Sequence, residues 1–249
     1  MSVAARPLAG DQVDVWLARP VVASADDLAR CLALLLPEER ARIEAFHFER
    51  HAREATVSRA LVRRMLAAYT DRAAETFRYR LGPFGRPHVD PASGVAFSAA
   101  NHPALVACAI ARTEEVGIDV EPITRGDEIL EVAALVFSAP EVAALSALPL
   151  AARRDRAVSL WTCKEAYIKA RGLGMSAPLL EIVVDFPAGA RPTLRFLSAI
   201  DEAEGWWLDT RDVHGVRLAV AVRSGSRAVR LDVEEVAPGP VATSPRRPT

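Results

Sequence analysis

Apolar residues alternate with polar ones in short runs and recur at three- and four-residue intervals in longer ones, and the two periods divide this chain into strands and helices. Residues 13–18 alternate, carry Val and Trp, and stop at Pro20, which predicts a short strand. Ser24 is placed to cap a helix over 25–36 with Leu28, Leu32 and Leu35 on one face, and Pro37 opens a second amphipathic segment over 37–48. A longer helical pattern spans 50–69 and turns Val57, Leu61, Met65 and Ala68 inward. Strand patterns follow at 77–81, 95–98, 105–111 and 116–122, with a turn-rich loop at 82–89 and a polar bend at Asn101, His102 and Pro103.

One stretch departs from a plain amphipathic pattern. Wound as a helix, it sets Val158, Trp161, Glu165 and Ile168 on one face, so a carboxylate interrupts an apolar stripe. Lys169 follows that acid by one helical turn, Lys164 precedes it directly, and Gly172 and Gly174 end the helix. A buried acid of this kind is either paired internally or bound to a metal. In the 116–122 strand, a period of two puts Asp119 and Glu121 on one face and Ile118 and Val120 on the other. Neighbouring carboxylates raise each other's pKa unless a cation sits between them, and two strand acids with a third from a helix make an oxygen-rich site of the kind magnesium accepts. Alone, an Asp-x-Glu pair is equally the mark of strand acids facing water.

Composition narrows the function classes. The 249 residues, 51% hydrophobic, suffice for one large domain or two half-size lobes. With 31 Lys and Arg against 32 Asp and Glu, the balance argues against a general nucleic-acid binder, so an anionic ligand has to be met by a local patch. Arg53, Arg59, Arg63 and Arg64 on the 50–69 helix either form a solvated face or supply such a patch. Three widely spaced cysteines, Cys31, Cys108 and Cys163, fit a reduced, cytoplasmic setting, and no run approaches the roughly 20 apolar residues of a membrane helix. Neither secretion nor membrane insertion is expected. His47 and His51 lie four apart without further ligands and read as surface or structural residues.

Gly117-Ile118-Asp119-Val120-Glu121, followed some forty residues later by Trp161-Thr162-Cys163-Lys164-Glu165-Ala166-Tyr167-Ile168-Lys169, resembles the paired signature of the 4'-phosphopantetheinyl transferase superfamily in its longer, monomeric form. Phe137-Ser138-Ala139-Pro140-Glu141 resembles a segment between the family's two motifs, Gly85-Arg86-Pro87 its Gly-Lys-Pro loop, and Leu61-Val62-Arg63 its arginine helix. The resemblance implies an α+β fold of two similar α/β lobes about a pseudo-twofold axis, here 1–122 and 123–236, the second holding strand patterns at 179–186, 193–197, 206–211 and 217–222. It also implies transfer of the phosphopantetheine arm of coenzyme A to a serine of an acyl or peptidyl carrier protein, with release of 3',5'-ADP. Asp119, Glu121 and Glu165 match magnesium ligands, and Lys169 matches a phosphate-contacting lysine. Lys164 is a secondary phosphate candidate, and Arg86, Arg42 and Arg53 are candidates for the nucleotide phosphates. Glu165 or a water on the metal is a candidate for the serine proton, with Glu141 a third.

One segment departs from the family pattern. Where the family carries Phe-Asn-x-Ser-His-Ser, this chain has Phe97-Ser98-Ala99-Ala100-Asn101-His102, so a hydroxyl contact to the 3'-phosphate is lost and Asn101 or a shifted His102 has to serve. Two readings compete with transfer: a degenerate homologue that binds coenzyme A or carrier protein without transferring, and a magnesium-dependent phosphohydrolase. Residues 237–249, rich in proline and poor in apolar side chains, read as a disordered tail.

Overall fold

The computed structural model describes residues 5–113, 115–225 and 227–240. Strand β1 (Gln12–Ala18) is buried along its whole length. Helix α1 (Ala25–Ala33) starts at a capping box, in which Ser24 Oγ accepts from Asp27 N at 3.1 Å and Asp27 Oδ2 accepts from Ser24 N at 3.0 Å. It stops short of the expected residue 36, because Leu36 precedes a proline and takes an extended backbone (ψ 155°) before α2 (Pro37–Glu44). Helix α3 (Glu49–Tyr69) then lays Val57, Leu61, Met65 and Leu66 against the sheet built on β1. Arg63, on the same helix, is fully buried rather than solvated. It meets Glu39 at 2.7 Å and donates to the carbonyls of Ala74 and Phe77, which supplies the partners a buried guanidinium requires.

Strands β2 (Arg78–Leu81) and β3 (Pro87–Asp90) form a hairpin, so the second half of the expected loop at 82–89 is a strand. Strand β4 (Ala96–His102) runs on through the expected polar bend: Asn101 and His102 pair with Val106 and Leu105 of β5 (Leu105–Ala111). Strand β6 (Val116–Pro122) leads through α4 (Gly126–Glu131), α5 (Ala133–Val136) and α6 (Ala139–Ser146) to α7 (Leu150–Arg171), which ends on Gly172 in the left-handed conformation (φ 66°). The hairpin of β7 (Ile182–Asp185) and β8 (Thr193–Phe196) precedes the antiparallel strands β9 (Trp206–Val213) and β10 (Val216–Arg223).

Three cores stack these elements into layers. One lies between α3 and the sheet β1-β5-β4, a second between α7 and the sheet β6-β10-β9, and the third joins the inner faces of the two sheets through Val15, Ala107, Ile118 and Leu218. The fold is α+β, and each of the two sheets carries one long helix on its outer face. Ser98 Oγ of β4 accepts from Ile118 N of β6 at 3.2 Å, which sets the sheets against each other beside the acidic strand.

The C-terminal part corrects two expectations. Strand β11 (Arg230–Glu235) pairs in parallel with β1, so these residues complete the first sheet rather than the second lobe. The alternation of Leu231 and Val233 turns apolar side chains onto the inter-sheet core and closes an otherwise open edge. Residues 237–240, expected to begin the disordered tail, are held in place: Arg64 donates to the carbonyls of Ala237 (2.8 Å) and Pro238 (3.1 Å), and Arg30 to that of Pro240 (3.1 Å). The remainder of that tail lies outside the described residues.

Candidate active site

A glycine brings the two acidic elements together. A β-carbon at Gly117 would lie 2.0 Å from the Ala166 carbonyl oxygen and 2.5 Å from the Ala170 amide nitrogen, so only glycine lets β6 press against α7. That contact sets the Glu165–Lys169 turn over the β6 face bearing Asp119 and Glu121. Lys169 Nζ meets Asp119 Oδ1 at 2.6 Å. Trp161 Nε1 donates to Glu121 Oε1 at 2.9 Å, and Arg125 Nη1 lies 2.6 Å from Glu121 Oε2.

The electrostatics are those of a cluster short of positive charge. Burial pushes the Asp119 carboxyl up, Lys169 pulls it back, and Glu121 pushes it further up. Glu165 is raised first by burial and then by the charges of Asp119 and Glu121, against the pull of Lys169. Asp119 Oδ2 is buried and has no hydrogen-bond partner. Three hard carboxylates, one with an orphaned buried oxygen, suit a divalent cation such as magnesium. With Glu121 engaged by Trp161 and Arg125, however, no three His, Cys, Asp or Glu side chains among the described residues converge closely enough to hold an ion.

Glu165, Lys169 and Trp161 line a cavity of about 610 Å³ whose other wall is Phe84, Arg86 and Met175. Pro87, Phe97 and Ala99 are shared with a second cavity of about 600 Å³, which is lined by Arg42, Ser58, Arg59, Arg78 and Asn101. The two cavities thus adjoin, the first bearing Glu165 and Lys169 and the second bearing Arg42, Arg59 and Arg78. Burial pushes the Arg59 pKa down, Glu39 pulls it back up, and the neighbouring Arg42 pushes it down again. Three arginines against the two acids Glu38 and Glu39 leave this cavity with a net positive lining, which suits an anion.

Other expected residues lie elsewhere. Lys164 is turned into the α7 core, where its ammonium meets Glu141 at 2.6 Å and donates to the carbonyls of Val136 (3.0 Å) and Leu179 (2.8 Å). Glu141 is equally committed, accepting from Ser138 N, Ser138 Oγ and Val184 N, each at 2.8 Å. Neither reaches the cavity, because the one-residue offset from Glu165 rotates Lys164 to another face of the helix. Arg53 donates to Ala23 O at 2.6 Å and ties α3 to the turn ahead of α1. Arg86 lines the first cavity, and its guanidinium donates to the carbonyls of Ala170, at the end of α7, and Val116. Asn101 donates to Glu54, and the His102 ring accepts from Ala104 N at 3.2 Å within its own turn.

Arg59 was one of the helix arginines expected to form a solvated face or an anion patch, whereas Arg78, Arg125 and Trp161 were not named as site candidates. Arg125 stands four residues after Glu121 and Trp161 four before Glu165, spacings visible in the chain; Arg78 carried no signal beyond its charge.

The profile of the 4'-phosphopantetheinyl transferase superfamily matches residues 115–221, the stretch that holds β6 and α7. The chain is similar to the 4'-phosphopantetheinyl transferase HetI of Nostoc sp., at 30% identity over 180 residues, 71% of this chain and 75% of the relative. It is similar to the 4'-phosphopantetheinyl transferase Sfp of Bacillus subtilis, at 27% identity over 168 residues, 66% of this chain and 71% of that protein. The matched family and these relatives thus define a transferase enzyme. The chain belongs to the 4'-phosphopantetheinyl transferase superfamily. Among the described residues no helix is long and apolar enough to cross a membrane.

Proposed function

We propose that this enzyme moves the 4'-phosphopantetheine arm of coenzyme A onto a serine of an apo acyl or peptidyl carrier protein and releases 3',5'-ADP, with magnesium held by Asp119, Glu121 and Glu165. The observation that carries the reading is the Lys169–Asp119 contact beside Glu165 at a cavity that shares Pro87, Phe97 and Ala99 with the arginine-lined one. A ligand with a pyrophosphate in its middle and a phosphate at one end matches that distribution of charge.

In this reaction the serine oxygen attacks the phosphorus bearing pantetheine, the bond to the bridging oxygen breaks, and the leaving 3',5'-ADP carries the electron pair away. The residues have three tasks. Lys169 offers its ammonium to the charge that builds on the phosphate oxygens. Glu165 lines the cavity and accepts the serine proton. Arg42, Arg59 and Arg78 hold the far phosphate in place of the hydroxyl and imidazole contacts that Ala100 and Asn101 do not supply. Magnesium, when bound, neutralises the pyrophosphate and polarises its phosphorus.

The test is a mass measurement on an apo carrier protein incubated with this protein, coenzyme A and magnesium. Gain of one phosphopantetheine mass is expected. Coenzyme A binding with no mass gain on several carriers would instead leave a binding protein, and release of phosphate without a carrier would leave a phosphohydrolase.

A further inference from the structure

Arg125 is a cation already seated on one of the three acids. Its Nη1 lies 2.6 Å from Glu121 Oε2 while Trp161 holds Oε1, so both oxygens of Glu121 are in use. Its Nε donates to Glu128 Oε2 at 3.0 Å, an exposed acid on the following turn. The backbone beneath is fixed. A β-carbon at Gly126 would stand 2.7 Å from Arg154 Cβ and 2.9 Å from its carbonyl oxygen, so this segment is pressed onto α7. A change of partner at Glu121 is therefore a side-chain rotation, and Glu128 keeps one edge of the guanidinium when the other lets go.

We propose that Arg125 is a resident counter-ion on Glu121 which a divalent cation displaces, and that it thereby sets the metal affinity of the acid cluster. This rests on the metal reading above. Lys169 does not compete in the same way, because it uses one oxygen of Asp119 and leaves Oδ2 without a partner. At Glu121 the charge is already met by Arg125, so an ion taking that ligand faces a resident cation 2.6 Å from Oε2, and the strength of the pair is subtracted from binding. Side-chain exposures of 39% for Arg125 and 14% for Glu121 make the pair a modest one.

Calorimetry and tryptophan emission on the full chain, titrated with Mg²⁺ and separately with Mn²⁺ without coenzyme A or carrier, test this. Arg125→Gln is expected to bind each ion about two- to fivefold more tightly than the wild type, the range an exposed ion pair supports. Arg125→Lys, the more conservative change should Arg125→Gln not fold, is expected to gain less. Arg154→Gln, whose partner Asp127 lies outside the cluster, is expected to match the wild type. Equal or weaker binding by folded Arg125→Gln, or an equal gain in Arg154→Gln, would overturn the proposal. Wild-type metal binding that persists unchanged in Asp119→Asn would instead overturn the metal reading itself, and the proposal with it.

Discussion

Lys164 and Lys169 lie five residues apart on one helix, and each meets a carboxylate at 2.6 Å. Their surroundings differ. The Lys164 side chain is 0% exposed and Glu141 2%, and every donor and acceptor of the pair is spent on Ser138, Val136, Leu179 and Val184. The Lys169 side chain is 32% exposed, lines a cavity, and faces an acid with one oxygen to spare. An ion pair with complete partners and no solvent stabilises a fold, whereas the same pair left incomplete beside a cavity is available to a ligand. Burial pushes the Lys164 ammonium pKa down while Glu141 holds it up, so its charge depends on that acid staying in place.

The comparison breaks most severely at Lys164. Lys164→Ala strands Glu141 in the core and is expected to cost about 3–5 kcal/mol in denaturant unfolding. Pairing it with Glu141→Leu should recover much of the loss, and no recovery would mean that the two charges are not coupled. Lys169→Ala should leave the unfolding midpoint near that of the wild type and lower transfer about 10²–10³-fold, a loss typical of a missing charge-stabilising donor. Retained turnover would remove Lys169 from the chemistry. Gly117→Ala sharpens the contrast, because it pushes α7 off β6 between the two lysines. Overpacking of about 1–3 kcal/mol in stability is expected, together with a fall in transfer. The smallest effect is expected at the far cavity: Arg59→Ala should raise the coenzyme A KM about tenfold with kcat nearly unchanged, as loss of one charged contact to a bound phosphate would.

The elements were legible because each strand or helix declares itself by its own period. Misreadings fell where an element draws its definition from a distant partner. Strand β3 exists through β2, the end of β4 through β5, and β11 through β1, which lies over 200 residues earlier. The acidic site was legible for the same local reason, since Asp119 with Glu121 and Glu165 with Lys169 share faces by strand and helix geometry. Lys164 and Glu141 were drawn into it by chemical type, and Arg53 toward the nucleotide phosphates, but their partners are fixed by packing between elements. Arg63 shows the converse: a guanidinium in a run of arginines is buried because α2 brings Glu39 to it.

The amino-acid sequence alone determined a mixture of strands and helices and the two motifs, whose resemblance to the family implied the α+β class, because strand and helix periods and the order of chemical groups are properties of neighbouring residues. Only the tertiary structure decided which charges are free to act. It seated α7 on β6 through Gly117, sealed Lys164 against Glu141, and set Arg125 on Glu121. The physical reason is that desolvation and pairing depend on what lies within a few ångströms in space, and packing alone makes remote residues neighbours.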